Sequence, residues 1–209
     1  MSTKADERLY FPATQRNKIH ISRAISNFLP KKGSILEIAS GSGEHGVFFQ
    51  SLFPFINWQL SDPNPTYRKS ISSWIHYQGL TKKMSQPLDL EVNKKPWPLS
   101  AKFQETLQAI ICINLLHISP WESTEAIFKG AKDYLRKHQI LILYGPFKRN
   151  AKHTSHSNEI FDHTLKAQNK LWGVRDLDEI NNKAKEIGFN VDEIIDMPAN
   201  NLLVIYRVN

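Results

Sequence analysis

The sequence predicts an α/β fold built on a mostly parallel sheet, and three observations carry that prediction. Apolar runs of strand length alternate with segments whose apolar residues recur at helical spacing. The first apolar run ends in the turn Ala39-Ser40-Gly41-Ser42-Gly43-Glu44-His45-Gly46, whose glycines fit the G-x-G-x-x-G spacing of a nucleotide-binding strand–turn–helix unit. The last two apolar runs are joined by only the five residues from Met197 to Asn201, so they must pair antiparallel. The expected architecture is a Rossmann-like sandwich, a seven-stranded mostly parallel sheet with a C-terminal antiparallel hairpin.

Each element follows from its own residues. After a polar start, residues 17–29 place Ile19, Ile21, Ala24, Ile25, Phe28 and Leu29 at helical spacing, and Pro30 stops the helix. Residues 34–39 form the first strand, a helix follows over about 44–53, and 57–61 form the second strand. Pro65 opens a helix carrying Ile71, Trp74, Ile75 and Leu80, with Gly79 near its end. A short third strand is expected near residues 84–90, then a loop at 93–100 marked by Pro96 and Pro98. The run 107–116 is apolar almost throughout, as a strand buried on both faces should be. Pro120 starts a helix to about residue 137, and 139–144 form the next strand, ending at Gly145-Pro146. Residues 148–157 read as a polar loop and 158–168 as a helix. A helix over 176–187 stops at Gly188, and strands at 189–196 and 202–208 close the sheet.

The bulk numbers narrow the function classes. With 209 residues the chain suits one domain with a full core. No apolar run approaches the ~20 residues that span a bilayer, and residues 1–8 lack the apolar core of a secretory signal. A single cysteine, Cys112, forms no internal disulfide, which fits a reducing cytoplasm, and its apolar surroundings in sequence point to packing. The net charge of +7 raises nucleic acid as a partner. The cations are scattered pairs such as Lys31-Lys32 and Lys148-Arg149, however, without an arginine-rich run, so nucleic acid is not the expected partner.

Glycines in the turn let backbone N–H groups approach a ligand closely. Asp62 closes the next apolar run about 20 residues on, where a ribose hydroxyl partner belongs. A Rossmann dehydrogenase sheet is parallel throughout; a seven-stranded sheet ending in an antiparallel hairpin is the arrangement of class I methyltransferases that use S-adenosylmethionine.

Longer segments carry a resemblance over nearly everything from Tyr10 to Arg207. They are Phe11-Pro12-Ala13 with Arg16-Asn17, residues 36–45, Ser61-Asp62-Pro63, Cys112-Ile113-Asn114, His117-Ile118-Ser119-Pro120-Trp121, Tyr144-Gly145-Pro146-Phe147, Trp172-Gly173-Val174-Arg175-Asp176 and residues 197–201. With these the chain resembles the domain of unknown function 938 family, the methyltransferase-like protein 26 group. The resemblance implies a class I methyltransferase-like fold and names no substrate. Residues 1–30 are expected to form a lid and helix packed on a methyltransferase-like domain of residues 31–209, one domain in all. The wider methyltransferase pattern opens acidic-x-Gly-x-Gly-x-Gly; here Glu37 supplies the acid, and Ala39 replaces the first glycine with a methyl that narrows the approach. A nicotinamide-binding strand usually has no acid at the Glu37 position.

S-adenosylmethionine then assigns roles along the strand ends. Glu37 offsets the cationic methionine end, and Ala39, Gly41 and Gly43 pass beneath the amino-acid and ribose portions. Asp62 accepts from the ribose hydroxyls, Asp89 from the adenine amino group, and Asn114 contacts the methionine portion. His117 is the candidate base or pocket-shaping residue, and Tyr144 lines the same cleft. Tyr10, Arg16, Asn17, Trp121, Trp172 and Arg175 are candidates for a lid over a small, partly anionic acceptor. His153, His156 and His163 lack a cysteine or paired carboxylate to complete a metal site, so no metal is expected. The function expected is methyl transfer to a small molecule. A non-catalytic module of the same fold, binding a protein partner with or without the cofactor, is the alternative, and a nicotinamide oxidoreductase ranks third.

Overall fold

The computed structural model describes residues 6–209, so the first residues of the expected lid, 1–5, lie outside the described residues. The chain divides into two units: one runs to Glu91 and takes in Pro98–Leu107, the other comprises Val92–Trp97 and Gln108–Asn209.

In the first unit, Pro12 opens α1 (Pro12–Ile25), ahead of the start at residue 17 that apolar spacing indicates. The helix ends at Ile25, whose carbonyl accepts from both Phe28 and Leu29. After β1 (Gly33–Ile38), the glycine turn leads into α2 (Glu44–Leu52) and then β2 (Ile56–Leu60). The strands pair parallel, from Gly33 beside Ile56 to Glu37 beside Leu60. Phe49 of α2 packs on Trp58 of β2 with ring centroids 5.2 Å apart. Asn64 caps α3 (Pro65–Tyr77), which buries Ile71, Trp74 and Ile75.

The third strand expected at residues 84–90 reduces to one parallel bridge, Ser61 to Leu88. Pro87 has no N–H to extend the ladder beyond it. One short helix, α4 (Ala101–Thr106), is absent from the sequence reading; it buries none of its residues and so leaves no apolar period.

The second unit is built on β3 (Leu107–Ile113), which starts at the boundary. It stops before residue 116 because Asn114 takes a left-handed φ of 59°. A 3-10 turn, Leu116–Ile118, leads to α5 (Trp121–Tyr134). Next, β4 (Ile140–Arg149) pairs parallel with β3, Ala109 beside Ile140, and runs on through Gly145-Pro146 instead of ending there. Asn150 and Ala151, both at positive φ (52° and 60°), turn the chain into β5 (Lys152–His153). Two central residues at positive φ are the requirement of the tight hairpin turn that matches strand twist. The polar loop predicted at 148–157 is therefore largely a hairpin.

After α6 (His156–Gln168), β6 (Arg175–Asp176) joins β4 in parallel, and Asp176 caps α7 (Leu177–Ile187). The chain closes with β7 (Phe189–Met197) and β8 (Asn201–Val208), antiparallel to each other, with β8 also antiparallel to β4. The α/β fold with its C-terminal hairpin is borne out. The strand count differs: the expected third strand is replaced by a bridge, and the two-residue strands β5 and β6 are added.

Phe128 of α5 meets Phe189 and Tyr206 edge-on at 5.6 and 5.0 Å, joining helix to hairpin. On the same helix a Cβ added at Gly130 would lie 2.0 Å from the Trp97 ring, and Trp97 itself stacks on Tyr134 at 5.7 Å. Gly130→Ala therefore pits ~1 kcal/mol of helix propensity against overpacking of about 1–3 kcal/mol. A buried indole has nowhere to move, so the substitution should destabilise by about 1–2 kcal/mol in urea unfolding with an unchanged m-value. Equal or greater stability would show that Trp97 does not require the glycine.

Candidate functional site

In the first unit the turn between β1 and α2 is fixed from several sides. Gly43, the N-cap of α2, sits at φ 88°, and a Cβ there would come within 2.8 Å of the Ile71 backbone. At Gly46 a Cβ would lie 2.0 Å from Leu60 and 2.7 Å from Glu37 Oε2, so this glycine lets helix and strand approach. Ala39, where the wider pattern has glycine, adopts φ 52°. The alanine thus keeps the glycine-like backbone, at a cost of ~1–2 kcal/mol.

Asp62, 4% exposed, accepts from Gly41 N–H at 3.0 Å and from Asn64 N–H at 2.9 Å. Burial raises its pKa, while these bonds pull the other way. Arg68 donates to Asp62 O at 2.8 Å and pairs with Asp89 at 3.1 Å, and the Asp89 side chain is 69% exposed. Glu37, by contrast, turns inward: its Oε2 accepts from Trp58 Nε1 at 2.8 Å.

The N-terminal segment lies against this turn. Phe11 would touch a Cβ on Gly41 at 2.9 Å and meets Tyr67 edge-on at 5.7 Å. Leu9 N–H donates to Ser70 Oγ, which donates to the Ser42 carbonyl. Tyr10 packs edge-on to Trp74 at 5.1 Å, and the Arg8 guanidinium lies 3.5 Å from the Tyr77 ring centroid. Of the residues assigned to a lid, Asn17 accepts from His45 Nε2 at 2.7 Å, while Arg16 is exposed. Gln15 and Lys18 of α1 both bond to Glu44 Oε1, the latter at 2.8 Å. Neither Phe11 nor Glu44 received a role from sequence; a charged residue directly after the turn glycines was the available signal.

In the second unit, Asn114, His117 and Gly145 come together. A Cβ at Gly145 would be 3.5 Å from His117 Nδ1 and 3.7 Å from Asn114 Oδ1. Asn114 N–H donates to the Tyr144 carbonyl, and Tyr144 is buried. The turn carrying His117 is held by its backbone: Gly173 N–H donates to His117 O at 3.0 Å, and Arg175 donates to Leu116 O and Ser119 O. Arg175 is thus bound to main-chain carbonyls rather than to the neighbouring acids Asp176 and Asp178. Phe161 of α6 packs edge-on to the His117 ring at 5.4 Å. Trp172 and Trp121, at the start of α5, are each partly exposed.

Asp162, unassigned from sequence, is buried, accepts from Val174 N–H at 2.7 Å, and pairs with Lys166, Lys148 and His153. His156 pairs instead with Glu159. Among the described residues no three His, Cys, Asp or Glu side chains gather as metal ligands, and no helix is long and apolar enough to cross a membrane.

The family model described as a protein of unknown function, DUF938, matches residues 8–208. The chain belongs to that family. Among solved structures, this DUF938 chain is similar to the mitomycin 7-O-methyltransferase MmcR, at TM-score 0.77 and 14% identity over 94% of this chain and 54% of that one. It is also similar to an O-methyltransferase family 2 protein from Planctomyces limnophilus in complex with apigenin, at TM-score 0.73 and 13% identity over 92% and 62%. A third is PigF with SAH, at TM-score 0.72 and 13% identity over 88% and 53%. These likenesses show the class I methyltransferase fold. The DUF938 chain spans little more than half the length of each.

Burial shifts the buried ionisable groups of the DUF938 chain in opposite directions. Glu37 is raised to about 7, with the Trp58 bond opposing. His117 is lowered to about 4 by burial, aided by Arg175, and His45 to about 3 by burial, aided by Lys18. The folded state therefore holds the Glu37 proton more tightly than the unfolded chain does. Its contribution to stability is full below its ordinary 4.5 and is lost as pH rises through 7. The histidines act oppositely: their contribution is full above 6.5 and is lost as pH falls through 4 and 3. Urea unfolding of Glu37→Gln across pH 5–8 should show stability rising to a plateau, where the parent protein declines again toward pH 8. Parallel profiles would mean that Glu37 titrates as an ordinary carboxylate.

Proposed function

We propose that this protein transfers a methyl group from S-adenosylmethionine to a small-molecule acceptor. The observation that carries the reading is the buried Asp62 carboxylate bonded to the N–H of Gly41, an acid fixed on the turn at the end of the second strand. The residues fit the cofactor on two further counts. The turn is held in left-handed backbone at Ala39, Gly41 and Gly43, and a buried carboxylate oxygen beside it, Glu44 Oε2, has no partner in the protein. The solved methyltransferases of the same fold, one acting on mitomycin and one holding SAH, support the cofactor and a small acceptor.

When bound, S-adenosylmethionine supplies an electrophilic methyl group on a sulfonium. Asp62 accepts from the ribose hydroxyls; each carboxylate oxygen already takes one backbone N–H and keeps a second lone pair. The backbone of Ala39, Gly41 and Gly43 passes beneath the amino-acid and ribose portions, and Asn114 contacts the methionine portion. Asp89, exposed and paired with Arg68, is available to the adenine amino group.

His117, neutral at pH 7 because burial lowers its pKa, accepts the acceptor's proton at an imidazole nitrogen. That same burial makes it a weak base, so it suits an acceptor group that ionises readily. In this reading Tyr144, Trp121 and Trp172 line that site. A single buried thiol at Cys112 suits a cytoplasmic setting.

Calorimetric titration of ligand-stripped protein with S-adenosylmethionine and, separately, NADH tests the cofactor. Micromolar binding of the former alone is expected, with Asp62→Ala weakening it at least tenfold while the fold persists. Unchanged affinity would sink the Asp62 assignment, and binding of neither ligand would favour a partner-binding module. For His117→Ala, turnover should fall far more than cofactor affinity. Equal losses would make His117 structural.

A further inference from the structure

Glu44 occupies the first turn of α2, directly after Gly43, and its side chain is only 4% exposed. One carboxylate oxygen is saturated: Oε1 accepts from Gln15 Nε2 and from Lys18 Nζ. The other, Oε2, is buried with no hydrogen-bond partner in the protein. A buried carboxylate oxygen without a donor costs on the order of 1–3 kcal/mol or more, and native structures retain few such atoms. The fold nevertheless holds this carboxylate in place. Gln15 and Lys18 grip it from α1, which is anchored a second time through the Asn17–His45 bond at 2.7 Å.

A carboxylate only accepts hydrogen bonds, so the group it awaits is a donor, and a cationic donor is preferred. Resting on the cofactor reading above, we propose that Glu44 Oε2 binds the α-ammonium of the amino-acid portion of S-adenosylmethionine. The other groups of that ligand fit less well. Its carboxylate would be repelled, its ribose hydroxyls belong with Asp62, and its sulfonium has no hydrogen to donate. Glu37, the sequence candidate for the cationic end, already spends Oε2 on Trp58 and is pressed against Gly46. It also holds its proton up to about pH 7, which halves its value as a counter-charge there. Glu44 adjoins the same turn from the helix side.

The test is a cycle of two proteins and two ligands, read by calorimetry at pH 7.5. The proteins are the parent and Glu44→Gln; the ligands are S-adenosylhomocysteine and its deaminated analogue, which keeps the carboxylate and lacks the ammonium. Removing the ammonium should weaken binding to the parent at least tenfold and to Glu44→Gln less than threefold. Equal weakening in both proteins would overturn the assignment. So would a parent protein that binds the deaminated analogue as tightly, a result that needs no variant to fold. A parent protein that binds neither adenosyl ligand would instead overturn the cofactor reading itself.

Discussion

Every polar atom of Asp62 is engaged, and the geometry around the glycine turn depends on it. Its N–H donates to Leu88 O and its carbonyl accepts from Arg68, while Oδ1 takes Asn64 N–H and Oδ2 takes Gly41 N–H. One residue thus ties the end of β2 to the bridge at Leu88, to the start of α3 and to the turn after β1. The bonds to the carboxylate are charge-assisted, each contributing on the order of 1.5–3 kcal/mol when the acceptor is ionised. Without them the turn would rest on the Ser40–Ser61 contacts and on the Ser70 hydroxyl that donates to the Ser42 carbonyl.

The N-terminal segment extends this arrangement rather than merely covering it. Leu9, Ser70 and Ser42 form a continuous chain of hydrogen bonds that ends on a carbonyl inside the turn. Arg8 lies against the rings of Tyr77 and Trp74, and Phe11 rests on Gly41. Farther along, α1 reaches the first turn of α2 through Gln15, Asn17 and Lys18. Leu9, Phe11, Gln15, Asn17 and Lys18 therefore support the turn and the helix that follows it. Their polar groups are committed to protein partners before any ligand arrives, which lowers the ordering cost of binding.

Local pattern made the fold legible and left the long-range pairings hidden. The glycine spacing, the acid after β2 and the short final connection each depend on neighbours in sequence, and each appears where it was expected. Gly145-Pro146 misled because proline usually ends a strand, whereas here β4 continues past it opposite Asn201. The third strand misled in the opposite sense, since Pro87 interrupts an otherwise plausible run. Asn17 read as a lid candidate, and nothing nearby in sequence indicates its partner His45, twenty-eight positions away. Glu44 was visible as a helix-start acid; its burial depends on α1 packing over it, which no local pattern encodes. Arg175 likewise binds carbonyls some fifty-six and fifty-nine positions away.

Asp62 has counterparts in the second unit, and the repetition explains how irregular segments are made rigid there. Asp162 accepts from Val174 N–H, and Asp176 accepts from Ala151 and Asp178 N–H. In each case a well-buried carboxylate accepts from backbone N–H groups of a turn, loop or first helical turn that lack a main-chain partner, because unpaired buried N–H groups are costly. Asp162 also gathers Lys148, His153 and Lys166, which offsets the desolvation of its charge. Its bond to Val174 fixes the segment whose Gly173 N–H holds the His117 carbonyl, and its neighbour Phe161 packs on the His117 ring. The imidazole is therefore placed by two contacts that both trace to the position of α6. A histidine held in this way keeps its orientation without a hydrogen bond to a carboxylate, and burial leaves it neutral.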